Sequence, residues 1–481
     1  MLLFLCGIAV LIVGYFTYGK LVEKILGPDD RQTPCVKSPD GVDYIGLPHW
    51  KNMLIQLLNI AGIGPVIGVI LGIKFGSIVF VILPIGNLIA GATHDMIAGM
   101  MSLRNNGANL TTLVKDNLGS VYYRIFSWFM VILLLLVVAV FVNIPANLIS
   151  GMIPGEWFWY AVVAITFYYV AAALFPVDKI IVAIYPFFGG LLIVSTLAIF
   201  CVLVAEGVKN PALLLESDAF KANMFTAEKN QPILPMLFVT IACGIISGFH
   251  ATQSPIVART MKTERQARST FYGMMVAEGI IGMIWAGAGL AIYNLFPEYM
   301  AQAPAKVLSC ITTHFLGSVA GSITILGVVV LAITSGDTAL RSTRMALGEM
   351  LHIDQKPIRN RLLLCVNMLV VVAALLGWSN QSAKTFNLLW NYFSWGNQVL
   401  AVTTLLAGTV YLLKQRKNCL IALVPGAFML FIVACYILWI SPAHGGPVGF
   451  GLPLNVAYVL AVILVAIVSL AVWKHGRKLS K

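Results

Sequence analysis

The sequence predicts an all-α polytopic membrane protein of about thirteen transmembrane helices, ten of them arranged as two five-helix blocks of opposite orientation. Three observations carry this. Of 481 residues, 59% are hydrophobic and 10% charged, which excludes an ordinary soluble globule. The Lys and Arg residues that give a net charge of +12 fall in short clusters between apolar runs, the positive-inside pattern, not the single basic stripe of a nucleic-acid binder. Two apolar runs are interrupted at matched places by Gly and Pro, the signature of paired broken helices.

The first run, Met1 to Tyr18, lacks a basic start and a small-residue cleavage site and is read as a retained helix. Lys20 and Lys24 follow it, so its C-terminal end faces the cytoplasm and the N-terminus lies outside. The stretch Glu23 to Trp50 carries Gly27-Pro28, Pro34, Pro39 and Gly41 and reads as an ordered loop or short re-entrant segment over the cytoplasmic face. Further spans begin near Asn52, Gly76, Gly119, Trp157, Ile180, Pro232, Ser269, Ser309, Arg361, Phe386, Cys419 and Leu452.

Loop charge checks the count, because one missed helix would invert every later loop. Arg104, Lys115 and Arg124; Lys179; Arg259 to Arg268; Arg341 to Arg361; Lys414 to Lys417; and Lys474 to Lys481 all fall on one side. Opposite them lie Glu156; the mixed charges Glu206, Lys209, Glu216, Asp218, Lys221, Glu228 and Lys229; Glu298; Lys384; and the uncharged Ser441 to Phe450. An odd number of spans with the C-terminus in the cytoplasm satisfies every loop.

The breaks define the blocks. In Asn59-Ile60-Ala61-Gly62-Ile63-Gly64-Pro65, two glycines and a proline remove helical preference and an amide donor at membrane depth. Unpaired backbone there is tolerated only against protein or a cavity; the alternative is a proline kink used for packing alone. The second break lies in Cys243 to Pro255. Each opens five spans, and five is odd, so the blocks enter the membrane from opposite sides. The expected division is 1–51 (N-terminal helix and loop), 52–205 (first repeat), 206–231 (outer loop), 232–413 (inverted second repeat) and 414–481 (two C-terminal helices), a LeuT-like five-plus-five plan.

Solute is then expected between the breaks, at Gly62, Ile63, Gly64 and Pro65 and at Ser247, Gly248, Phe249, His250 and Thr252, where freed amides suit an anion and freed carbonyls a cation. His250 reads as a proton carrier or solute ligand, or as a buried imidazole bonded to a carbonyl. His94 and Asp95 point about 100° apart on a helix, so one of them is expected to face the cavity. Glu278, about ten residues into its span, is the best candidate for a carboxylate that exchanges a proton; a structural hydrogen bond is the alternative. Thr334 and Ser335 supply hydroxyls suited to sodium beside a broken helix. Asp337 belongs either to that ion site or to a charge cluster with Arg341 and Arg344. Asn143, Pro145, Asn147, Asn391, Trp395, Asn397 and Gln398 lie on long spans and fit cavity lining or interhelical bonding.

Gly41-Val42-Asp43-Tyr44, Ala61 to Pro65, Ala92-Thr93-His94-Asp95, Ile241 to His250, Ser335 to Ala339, and Gly396-Asn397-Gln398 with Leu400-Ala401 together resemble the carbon starvation protein family over nearly the whole chain. The resemblance implies inner-membrane uptake of peptides, amino acids or pyruvate when preferred carbon is exhausted, coupled to protons. It departs at one place: the family's usual histidine pair before the break is Ile55 and Gln56 here, which puts coupling or specificity in question. The expected mechanism is alternating access, with sodium coupling, a nutrient sensor or a channel as other readings. There is no phosphate-binding loop, redox motif or hydrolytic triad, and the eight cysteines show no CxxC spacing. No cofactor, metal, enzyme activity or nucleic-acid partner is therefore expected, only a small solute, a coupling ion and the bilayer.

Overall fold

The computed structural model describes residues 1–480 apart from 42, 154, 175–180, 219, 221–231, 303 and 445. The expected span start at Ile180, and the expected loop charges Lys179, Lys221, Glu228 and Lys229, lie outside the described residues. Among the described residues all regular structure is helical. Ten helices are long and apolar enough to cross a bilayer, and two bent pairs each pass that test together. The 17-residue Phe158–Leu174 is apolar and sits at the short limit for a span.

In chain order the twelve candidate spans and the shorter apolar helix α5 are α1 (Leu2–Leu26), α2 (His49–Ile60 and Gly64–Phe75), α3 (Val79–Arg104), α4 (Ser120–Met152), α5 (Phe158–Leu174), α6 (Ile181–Lys209) and α7 (Ile233–Thr240 and Ala242–Ala258). Then follow α8 (Glu264–Leu295), α9 (Pro304–Met350), α10 (Ile358–Ser379), α11 (Ala383–Lys414), α12 (Leu420–Trp439) and α13 (Leu454–Leu479). α8 and α11 are 89% buried over their most apolar stretch, whereas α13 is 11% buried, so the two blocks form the centre and the C-terminal helix faces lipid.

The boundaries differ from expectation where polar chemistry extends a helix. α1 runs on to Leu26, where Gly27 adopts φ 62° and stops it. α8 starts five residues before Ser269, its basic cluster lying on the first turns. α9 starts at Pro304 rather than Ser309 and is divided by Gly317 at φ 78°, which leaves a helical arm of residues 304–316 before the span proper. A short helix, Leu110–Leu118, joins α3 to α4 between Asn109 and Gly119 and was not expected.

Both breaks are present. The halves of α2 meet at 54° around Ala61 to Ile63, where the Gly62 amide donates to the Ile60 carbonyl at 2.7 Å instead of to a carbonyl four residues back. α7 bends by 66° at Ile241, and Ile246 is extended (φ −159°, ψ 129°) ahead of the helical Phe249–Ala258. Pro255, expected within that break, instead lies inside the helical segment. There Ser254 Oγ donates to the His250 carbonyl at 3.0 Å, and the proline removes only its own amide from the ladder.

The stretch between α1 and α2 is an ordered strap containing one helical turn, Pro34–Lys37. It lies against the end of α7: the Leu47 amide donates to the Thr260 carbonyl at 2.9 Å, and Cys35 Sγ to that of Met261 at 3.0 Å.

Candidate functional site

The two breaks touch. A Cβ on Gly64 would lie 2.3 Å from Cys243 Cβ, so only glycine lets the second half of α2 approach α7 this closely. Gly248 is turned the other way, against α11: its Cβ would fall 2.2 Å from the Ala401 nitrogen and 2.3 Å from the Asn397 carbonyl oxygen. Asn397 fastens the break in that position. Its Oδ1 accepts from the Phe249 amide at 2.7 Å and from Ser247 Oγ at 3.1 Å. Ser247, Gly248 and Asn397 are thus engaged with one another. Gln398 donates to the Val239 carbonyl at 3.2 Å, Thr252 Oγ1 to that of Phe249 at 2.7 Å, and the Phe249 ring meets Phe141 edge-on at 6.1 Å. Gly62 and Ile63 are buried in the other break, and Pro65, expected within it, is buried in the first turn of the helical half that follows.

Four residues expected singly come together between α3, α7 and α8. α3 widens into a π-turn over Asn87–Ala92 immediately before His94 and Asp95, a distortion that recurs at functional sites. Asp95 Oδ1 lies 2.8 Å from His94 Nδ1 and Asp95 Oδ2 lies 3.0 Å from His250 Nδ1. His250 Nε2 in turn stands 3.7 Å from Glu278 Oε2. The adjacent pair does not divide between cavity and bundle as expected, because the His94 ring folds back onto the Asp95 carboxylate. All four are at most 1% exposed. Neither carboxyl oxygen of Glu278, nor Nε2 of His94, has a hydrogen-bond partner. The chain His94–Asp95–His250–Glu278 is an enclosed series of groups that can each hold or pass a proton.

Thr334 and Ser335 lie where α9 crosses the α2 break. Ser335 Oγ donates toward the carbonyls of Leu58 and Asn59 at 3.4 and 3.3 Å, and Thr334 Oγ1 is 3.5 Å from that of Leu58. These hydroxyls and freed carbonyls form a hard-oxygen set. Asp337 accepts from Tyr168 OH of α5 at 2.7 Å. Among the described residues no group of three or more His, Cys, Asp or Glu is placed to hold a metal ion.

Several participants were missed or only half seen. Gln56, recognised as a departure, is fully buried with neither amide atom paired. Asn87 donates to the Gly244 and Met275 carbonyls at 3.3 and 3.0 Å, joining the α3 π-turn to α7 and α8; a lone amide in an apolar run was its only signal. Tyr168 had none.

The face bearing the basic loops is closed. Asp43 of the strap pairs with Arg341 of α9 at 2.8 Å and stands 3.9 Å from Arg344. Burial pushes the Asp43 carboxyl up, but the guanidiniums of Arg341, Arg344 and Arg259 together outweigh it and hold the group below the ordinary carboxylate range. Arg259 lies over the Tyr44 ring at 5.1 Å and donates to the Gly107 carbonyl at 2.8 Å, while Ser342 Oγ bonds the Thr252 carbonyl at 2.9 Å. On the opposite face a cavity of about 530 Å³ opens between α2, α4, α9 and α11.

The family model described as carbon starvation protein CstA matches residues 1–164, 155–295 and 294–435. An uncharacterized membrane protein of Haemophilus influenzae is 38% identical over 344 residues, covering 61% of this chain and 92% of that protein. The peptide transporter CstA of Campylobacter jejuni is 26% identical over 59% of this chain and 49% of its own length. The pyruvate/proton symporter BtsT of Escherichia coli is 25% identical over 58% and 47%. Among solved structures, MhsT in complex with L-phenylalanine superposes with a TM-score of 0.57 at 13% identity, covering 90% of this chain and 99% of that one. At that identity the likeness shows the fold alone, the LeuT-like five-plus-five plan.

Proposed function

The chain belongs to the carbon starvation protein CstA family, and on that premise we propose that it is a proton-coupled secondary transporter that imports small carbon sources, peptides, amino acids or pyruvate, by alternating access. One observation carries the coupling: the enclosed chain His94–Asp95–His250–Glu278 runs from α3 through the helical half of α7 to α8. A proton held there changes the charge balance beside the very segment whose break is expected to hold solute. Relatives named as a peptide transporter and as a pyruvate/proton symporter support the solute class and the ion. An inner-membrane location, with the N-terminus outside and the C-terminus in the cytoplasm, is the orientation the basic loops favour. On that orientation the strap closes the cytoplasmic side.

The test is uptake of labelled pyruvate and of labelled L-alanyl-L-alanine into proteoliposomes under an imposed pH or sodium gradient. Accumulation of either solute under a pH gradient supports the reading; uptake of neither under any gradient overturns it. Labelling of Ile63→Cys and Phe249→Cys variants is expected to fall when the transported solute is present. Equal labelling with and without it counts against both breaks as the site.

Sodium coupling is the second reading, favoured by the Thr334 and Ser335 hydroxyls against the Leu58 and Asn59 carbonyls. On it, Ser335→Ala removes one oxygen ligand and is expected to raise the sodium concentration for half-maximal uptake about tenfold. Wild-type uptake indifferent to sodium sinks it.

A further inference from the structure

The cavity on the face opposite the strap has a character of its own. It holds about 530 Å³, within the range of small-molecule sites. Among the described residues that line it, the polar groups are amides and hydroxyls with one cation, Lys306, and no acidic side chain. Lys306 is exposed, and its ammonium is met by Gln302 Oε1 at 3.4 Å. The arm 304–316 begins at the cavity wall, so its positive dipole end is on the same side.

A second, independent feature lies on the wall of the same space. Asn143 of α4 is 1% exposed, yet its Nδ2 has no hydrogen-bond partner. Its Oδ1 is occupied, accepting from Asn147 Nδ2 at 2.6 Å. That bond fixes the amide so that the donor end is the unsatisfied one, and a buried donor left without a partner is unfavourable. The remaining wall is apolar, with Ile67, Phe386 and Trp390. Ile67 follows Ile63 of the α2 break by four residues, roughly one helical turn, or about 5–6 Å.

We propose that this cavity is an outer solute site that binds the carboxylate of the transported molecule between Lys306 and the Asn143 amide, with the organic portion against Phe386 and Trp390, before the molecule passes one turn inward to the break. The site selects anions with a carboxylate over the matching neutral amides. The proposal deepens the transport reading and rests on it only for the choice of probes.

The test measures equilibrium binding of labelled pyruvate and of labelled L-alanyl-L-alanine to the purified full chain in detergent, alongside uptake kinetics in proteoliposomes. Lys306→Gln is expected to weaken binding and raise the uptake KM about tenfold with Vmax unchanged, the scale of one charge-assisted hydrogen bond. Lys306→Arg, which keeps the charge, should stay within about twofold of wild type. Pyruvamide and alanyl-alaninamide should not compete. An unchanged KM in Lys306→Gln, equal competition by the amides, or no binding of either probe to the wild-type protein overturns the proposal. Wild-type binding that Lys306→Gln abolishes, without uptake under any gradient, upholds this site and sinks the transport reading instead.

Discussion

Glu278→Gln is expected to abolish solute accumulation driven by a pH gradient while leaving exchange of labelled for unlabelled solute intact. Glutamine keeps the volume and hydrogen-bonding capacity of the side chain but cannot take or release a proton. In the native chain both Glu278 oxygens lack hydrogen bonds, and His250 Nε2 stands 3.7 Å from Oε2. A proton gained or lost at Glu278, His250 or Asp95 changes the charge its neighbours meet, and a buried charge in this environment is tolerated only when it is paired. Fixing Glu278 as neutral freezes that series in one state. For one proton per solute, a one-unit pH gradient is worth about 1.36 kcal/mol and sustains about tenfold accumulation. The variant should fall to about unity under the same gradient. Exchange survives because it needs both solute-bound conformations but no net proton movement. Accumulation unchanged from wild type would remove Glu278 from the coupling path, and loss of exchange as well would indicate that the carboxyl holds solute or the fold instead.

How far the sequence could lead is visible in these same residues. The spans and the two breaks were legible because hydrophobic length and Gly-Pro placement are local properties, and the odd block length followed from loop charge. His94, Asp95, His250 and Glu278 were each identifiable as costly ionisable groups in apolar runs. Their assembly into one chain was not, because it depends on how α3, α7 and α8 cross and on the π-turn over Asn87–Ala92, which rotates the following residues. Asn397 and Gly248 show the opposite limit. Gly248 reads as solute contact and Asn397 as cavity lining or interhelical bonding, and the structure uses both to fasten the α7 break to α11. Residue type alone cannot distinguish a group that awaits a ligand from one already bonded by the protein. The strap was foreseen as a covering loop, but Asp43 meets Arg341 across 298 positions of sequence, and no local pattern reports such a contact.

Asp43→Asn is expected to open the strap face. In the native chain the carboxylate lies beside two guanidiniums that are at most 1% exposed, Arg341 at 2.8 Å and Arg344 at 3.9 Å. Asparagine retains the shape but withdraws the negative charge, and removing one partner of a buried pair costs about 3–5 kcal/mol. Asp43 is itself 16% exposed, so the lower figure applies, about 3 kcal/mol, or roughly 100-fold in the balance between closed and open arrangements. The strap is anchored at its other end to α3 and α8, where Arg104 donates to the Gly27 carbonyl at 2.5 Å, the Asp29 amide donates to Glu264 Oε2 at 3.3 Å and Arg265 meets Asp30 at 2.5 Å. Releasing Asp43 therefore removes the strap's hold on α9 without detaching the strap, and leaves α9 tied to α7 by direct bonds such as Ser342 Oγ to the Thr252 carbonyl. A Ser342→Cys probe, placed where α9 now bonds the Thr252 carbonyl, should become reactive to a maleimide applied from the strap side in the Asp43→Asn background. It should stay protected with Asp43→Glu. pH gives a second reading of the same pair. A carboxyl held below its ordinary value contributes fully above about pH 4 and is lost only as pH falls through the depressed value. Native protection of the probe should therefore be constant between about pH 5 and 8. A probe equally protected in Asp43→Asn would mean that apolar packing, not this ion pair, holds the strap face shut.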